Sequence, residues 1–182
     1  MSKIVVIVGS LRRESLNKKL AQALTKLAKP GIEFTFSRID DLPLYNEDLQ
    51  PTPPEPVTRL KREIEGADGV LIVTPEYNRS IPGVLKNAID WASRPYGKNS
   101  FAGKPTAAIG TSPGAIGTAV AQQHLRSILA YLDVILLGQP EAYISYKKDM
   151  VDDQDRVTDE GVRKFLQLFM DKFTAWVERH GA

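Results

Sequence analysis

The sequence predicts an α/β protein: a doubly wound, five-stranded parallel sheet in the order 2-1-3-4-5, with helices on both faces. Three observations carry that prediction. Strand-like and helix-like segments alternate five times along the chain. Strands one, three, four and five read as unbroken apolar runs, as strands buried on both faces do. The loops after strands one, three and four are polar or glycine-rich, and in this strand order those loops meet at the switch point where ligands bind. The length, 182 residues, suits one domain spanning 1–182.

The elements follow in order. Ile4 to Val8 is five β-branched residues, the first strand. Leu16, Leu20, Ala23, Leu24 and Leu27 recur at helical spacing, so residues 15–28 form a helix, which Pro30-Gly31 stops. Residues 32–39 alternate apolar and polar side chains, a half-exposed second strand. Residues 40–56 carry five prolines and form a long irregular connection, packed down by Leu42, Leu44 and Tyr45. A short helix follows over 57–65. Gly69 to Val73 is the third strand, and residues 83–92 the next helix, with Pro82 at its start. Residues 105–111 form the fourth strand, 118–132 a helix and 134–137 the fifth strand. Residues 143–154 are polar and predict a surface loop. Thr158 is a favourable N-cap for the last helix, with Asp159 and Glu160 in its first turn.

Composition narrows the function. The net charge of +2, without blocks of Lys or Arg, argues against nucleic-acid binding. No cysteine is present, which excludes disulfides and thiolate catalysis. His124 and His180 lie too far apart to suggest a metal site by spacing. No run approaches the ~18 apolar residues of a membrane span, and no signal peptide is evident. The expectation is a cytoplasmic protein.

Gly9-Ser10-Leu11-Arg12-Arg13-Glu14-Ser15-Leu16-Asn17 joins the first strand to a helix. A helix N-terminus presents free N–H groups and a partial positive charge. Hydroxyls, an amide and two guanidinium groups beside it suit a phosphate. The plainer alternative makes Ser15 only a helix cap and leaves the arginines solvated. The Walker spacing Gly-x-x-x-x-Gly-Lys-Ser/Thr is absent, which argues against ATP or GTP hydrolysis. Gly-x-Gly-x-x-Gly is absent too, although Asp40 stands after strand two where a ribose-binding acid falls in dinucleotide sites. A mononucleotide phosphate is the remaining reading. After strand three, Pro75, Glu76, Tyr77 and Asn78 present a flat ring and backbone donors to a planar heterocycle, or else form a simple turn. After strand four, Ser112, Gly114 and Gly117 let backbone approach a ligand closely, or else form a simple helix entry.

The first of these stretches, together with Pro75 to Asn78, Ser80-Ile81-Pro82-Gly83 and Leu85-Lys86-Asn87-Ala88-Ile89-Asp90-Trp91, strongly resembles the NADPH-dependent FMN reductases. The flavodoxin-like quinone and chromate reductases and the related azoreductases are the nearest in pattern. The resemblance spans nearly the whole chain. It implies a flavodoxin-like fold, FMN as cofactor and NADPH or NADH as co-substrate. It implies that Ser10, Leu11, Arg12, Ser15, Leu16 and Asn17 wrap the FMN phosphate. Pro75, Glu76, Tyr77 and Asn78 would lie along the isoalloxazine, mainly through backbone, with Ser112 and Gly114 in the third flavin-contacting loop. It implies hydride transfer from the nicotinamide nucleotide to the flavin, then two-electron reduction of a quinone, chromate or an azo compound, with no catalytic side chain. Family members form homodimers or homotetramers, with the helix of Trp91 and the segment of Glu141 as candidate contacts. Arg79 replaces an aromatic residue of close relatives, which leaves acceptor preference and subunit contacts open. A flavodoxin-type electron carrier is the alternative; the +2 charge argues against it, because such carriers are strongly acidic.

Overall fold

The computed structural model describes residues 1–181. The chain runs β1 (Ser2–Val8), α1 (Leu16–Leu27), β2 (Ile32–Ser37), a one-turn 3-10 helix (Glu47–Leu49), α2 (Glu55–Glu65), β3 (Gly69–Val73), α3 (Gly83–Ala92), β4 (Pro105–Ser112), α4 (Ala119–Tyr131), β5 (Ile135–Leu136), β6 (Tyr143–Ser145) and α5 (Glu160–His180). The main strands are parallel, in the order β2-β1-β3-β4-β5. This is the flavodoxin-like doubly wound order expected from the sequence.

Alternation along the strands sorts the helices onto two faces. Ile4, Val6, Leu71, Val73 and Ile109 point to one side, where they meet Leu20 and Leu24 of α1 and Phe169 and Phe173 of α5. Val5, Ile7, Val70 and Ile72 point to the other, against Leu60 and Ile64 of α2, Leu85 and Ile89 of α3, and Leu125 and Leu129 of α4. Because both faces are covered, β3 is buried along its whole length. That burial explains its continuous apolar sequence. Each fully buried Leu, Ile or Val contributes about 1.5–3 kcal/mol by its removal from water.

Four details differ from the sequence reading. First, residues 143–154 are not all surface loop. Tyr143–Ser145 forms β6, paired in parallel with Gly110–Ser112, the carboxyl end of β4. The two-residue β5 pairs only with Pro105 and Thr106. Thus two short pieces share the edge beside β4, and the sheet has six strands rather than five. A three-residue strand holding one buried Ile144 shows too little periodicity to be seen in sequence. Second, Asp159, not Thr158, caps α5: its carboxylate accepts from Val162 N at 2.9 Å. The Thr158 hydroxyl instead donates to Asp149 O at 2.8 Å. Third, α2 begins at Glu55, with Pro56 in its first turn, where a missing N–H costs nothing. Fourth, Leu44 does not pack down; it is 84% exposed. Its neighbours do hold the connection: Asn87 Nδ2 and Trp91 Nε1 both donate to Pro43 O, and Tyr45 meets Trp91 edge to face.

Candidate functional site

The three loops predicted to meet at the carboxyl edge do meet there, and their bases are fastened together. Gly9 N donates to Val73 O, and Thr74 N to Ile109 O, each at 2.9 Å. The buried Asn17 amide spans to β4: its Nδ2 donates to Thr111 O and its Oδ1 accepts from Thr111 N, both at 2.9 Å. Loop one is thereby tied to loop three through a side chain rather than through the sheet. Gly110 makes the junction possible. A Cβ there would lie 2.1 Å from Thr74 O and 2.3 Å from Thr118 Oγ1.

Loop one leads into α1. Ser15 is buried and caps the helix, its Oγ accepting from Lys18 N at 3.2 Å. A hydroxyl that accepts one hydrogen bond still has its own proton to donate. Both roles considered for Ser15 are therefore compatible. No acidic residue stands in the first turn. Among the described residues, the N–H groups of Leu16 and Asn17 have no protein acceptor. Ser10 is half-buried, Leu11 and Arg12 are exposed and Leu16 is half-buried. Among the described residues no carboxylate pairs with Arg12, whereas Arg13 has Glu14 at 3.8 Å. This end of α1 accordingly offers unengaged donors and positive charge, the requirements of an anion site.

Loop two is a tight hairpin. Tyr77 and Ser80 exchange both backbone hydrogen bonds at 3.0 Å, and Asn78 and Arg79 between them have φ of 51° and 63°. Two consecutive positive φ values mark a type I′ turn. Asn tolerates that conformation; for Arg79 it costs about 1 kcal/mol. Pro75 is buried, and the N–H groups of Glu76 and Asn78 find no acceptor among the described residues.

The Glu76 side chain has a role the sequence did not reveal. Its Oε2 accepts from Val120 N and Ala121 N, each at 3.1 Å, and its Oε1 from Arg79 Nη1 at 3.1 Å. Thr118, at the N-cap of α4, makes no side-chain cap. A carboxylate from loop two therefore caps the helix that follows loop three, satisfying orphan N–H groups and opposing the helix dipole. Nothing in the local sequence of α4 signals a cap from 44 residues away. His124, an exposed residue of α4, has Nδ1 at 3.1 Å from Ser80 Oγ.

Loop three is held by β6. Thr111 Oγ1 donates to Ile144 O, and Tyr146 N to Ser112 O, both at 2.8 Å. Gly117, at φ +59°, packs so tightly on β6 that a Cβ would come within 2.5 Å of the Tyr143 carbonyl carbon. Between these anchors Ser112 is half-buried, its hydroxyl donating to Gly114 O at 3.3 Å, and Gly114 itself is exposed.

Each loop also leaves one large apolar side chain about half bare: Leu11 (51%), Tyr77 (50%) and Ile116 (46%). Apolar surface rimming polar donors at a switch point is what a planar heterocycle with an anionic tail would cover. The donor set suits FMN: a phosphate at the α1 terminus and a ring beside loops two and three.

Comparison with known proteins agrees. The family model of the NADPH-dependent FMN reductases matches residues 2–149. A 2-hydroxy-1,4-benzoquinone reductase of Burkholderia sp is 57% identical over 175 residues, covering 96% of each chain. A quinone reductase of Pseudomonas putida is 49% identical over 180 residues, covering 98% of this chain and 96% of its own. The solved structure of FerB, a flavoenzyme NAD(P)H:(acceptor) oxidoreductase from Paracoccus denitrificans, superposes over the full length of both chains with a TM-score of 0.96 at 52% identity. With the motifs, the strand order and these matches in agreement, the chain belongs to the NADPH-dependent FMN reductase family.

Proposed function

We propose that residues 1–182 act as one functional domain, an FMN-dependent NAD(P)H oxidoreductase that passes hydride from a nicotinamide nucleotide through bound FMN to quinones. The observation that carries this reading is the joining of three loops around unengaged donors and half-bare apolar side chains. The names of the relatives, quinone reductases among them, support quinones as the acceptor class. FMN supplies the hydride and electron chemistry when bound; the chain binds, orients and shields it.

Ser10, Arg12 and Ser15, with the N–H groups of Leu16 and Asn17, hold the phosphate, and Leu11 covers it. Asn17 contributes its backbone, since its amide side chain is engaged by Thr111. Pro75 and Tyr77 would hold the ring, and the unengaged N–H groups of Glu76 and Asn78 would supply donors to it. Fixed donors of that kind stabilise negative charge without reorganising. Ser112 and Gly114 close the third side, where the absence of large side chains lets backbone approach.

The reading includes a homodimer or homotetramer and a cytoplasmic location. The groove between α3 and α4, where Ile128 and the exposed Tyr131 stand beside Lys86, Asp90 and Arg94, supports self-association through these helices. No helix among the described residues is long and apolar enough to cross a membrane.

The test is direct. The purified protein should show a flavin absorbance spectrum or acquire one with added FMN, and should oxidise NADPH with benzoquinone as acceptor. A colourless protein that ignores FMN would overturn the reading. A yellow protein without turnover would assign it to the electron carriers, against which the net charge of +2 argues.

A further inference from the structure

Strained backbone gathers where loops two and three meet. Among the described residues, six that are not glycine have positive φ. Four are Asn or Asp, whose short side chains tolerate that conformation. The other two are Arg79, at φ 63° in the hairpin of loop two, and Thr118, at φ 70° where loop three enters α4. Thr118 has a structural reason: it is buried, and its hydroxyl accepts from Gln122 Nε2 at 3.0 Å. Arg79 has none of that kind. It occupies the second central position of a type I′ turn, where glycine fits best and asparagine is tolerated. Its side chain is 66% exposed, so its ion pair with Glu76 contributes little to stability. A long side chain kept in a conformation that disfavours it, without a packing role, marks a place where it meets a ligand.

The guanidinium is nonetheless held in place. Its Nη1 donates to Glu76 Oε1 at 3.1 Å, and Glu76 Oε2 is itself fixed by Val120 N and Ala121 N at 3.1 Å each. The next residue, Ser80, has its Oγ 3.1 Å from His124 Nδ1, which ties the hairpin to α4 a second time. Glu76 is the one carboxylate that pairs with Arg79 among the described residues. That carboxylate also faces the positive end of α4, so it does not neutralise the guanidinium alone. The Arg79 Nε and Nη2 groups meet no protein acceptor among the described residues.

A preorganised cation with free donors therefore stands at the seam between loops two and three, the two loops given to the flavin ring. The same loops carry the half-bare Tyr77 and Ile116. Apolar surface with a fixed guanidinium at its rim suits an aromatic ring bearing negative charge.

We propose that Arg79 determines acceptor specificity: it binds the anionic substituent of a charged quinone, so that quinones bearing such a group are favoured over their neutral parents. Arg79 positions the acceptor and exchanges neither proton nor electron with it. The inference rests on the flavin reading above and gives a function to a residue which that reading leaves unused.

The test uses FMN-loaded protein, with flavin content measured first; failure to hold FMN would refute the flavin reading and is seen separately. With NADPH as donor throughout, kcat/KM is measured for 1,4-naphthoquinone-2-sulfonate and for 1,4-naphthoquinone. The difference in potential between the two acceptors cancels when their ratio is compared between variants. That ratio should fall about fivefold in R79Q, the worth of one partly screened charge contact, and R79K should keep most of it. Naphthalene-2-sulfonate accepts no electrons; in calorimetric titration of the oxidised, FMN-loaded protein its affinity should fall by a similar factor in R79Q. In the FMN-free protein, R79N should unfold at no lower temperature than the parent, because asparagine suits the turn better. An acceptor ratio or a naphthalene-2-sulfonate affinity unchanged in R79Q would overturn the inference. So would equal losses with both acceptors, which would place Arg79 on the flavin, or a Tm of R79N several degrees below the parent, which would make the residue structural.

Discussion

Replacing Glu76 with alanine should loosen the site from below without removing any group assigned to the flavin. The carboxylate accepts two backbone hydrogen bonds, from Val120 and Ala121 at 3.1 Å each, at the start of a helix with no other side-chain cap. Loss of an N-cap costs about 0.5–2 kcal/mol, and a hydrogen bond to a charged group about 1.5–3 kcal/mol. The Glu76 side chain is only 10% exposed, so water replaces the lost acceptor poorly. The Arg79 contact, on an exposed guanidinium, adds little. A total of about 2–3 kcal/mol follows, which for a chain of this size lowers Tm by about 4–12 °C. Glu76→Gln keeps an acceptor oxygen but loses the charge, and should fall between the two. The assay is thermal unfolding of the FMN-free proteins, so that cofactor binding does not mask the difference. If E76A unfolded within about 1 °C of the parent, the carboxylate would not be capping α4.

Arg12→Ala and Ser15→Ala should each weaken FMN binding by about one to two decades in fluorescence titration, the worth of one charge-assisted hydrogen bond; S15A should also lower Tm through the lost cap, whereas R12A, exposed and unpaired, should not. Asn17→Leu leaves both Thr111 backbone groups without their present partner; it should destabilise by about 2–4 kcal/mol in urea unfolding, and a midpoint unchanged within error would contradict the strap between loops one and three. Gly110→Ala places a methyl 2.1 Å from Thr74 O, where backbone cannot yield cheaply; soluble protein with parental FMN affinity would show that the loops can separate.

The sheet was legible because burial on both faces erases polar alternation. Ile4 to Val8 and Gly69 to Val73 could be read directly, and the helices followed from their 3.6-residue spacing. The meeting of three loops followed from strand order. The fastenings were not legible. Asn17 reaches Thr111 across 94 residues and Glu76 reaches Val120 across 44, and a pairing of that span leaves no periodic trace. Gly110 carried a faint signal, a glycine inside an apolar strand, which marks close backbone approach. β6 was missed because its ladder to β4 spans three residues. The cap of α5 fell one residue late because Thr158 and Asp159 are both good caps. The choice is made by Thr158 finding a carbonyl partner in Asp149, nine residues upstream.

The split edge beside β4 has a consequence for exchange with solvent. The carboxyl end of β4 does not share the protection of the central sheet, because its partner there is a three-residue strand tethered by loops on both sides. Tyr143–Ser145 and the Tyr146 amide can open as one local unit while β1, β3 and the helices stay closed. That opening would release Ser112 and unseat Gly117, and with them loop three. A ligand lying against loop three binds only the closed form, and so shifts the opening equilibrium in proportion to its own affinity. Amide exchange at Tyr143 to Tyr146 would thereby report occupancy at a loop these residues do not belong to, with no change in the protection of the core.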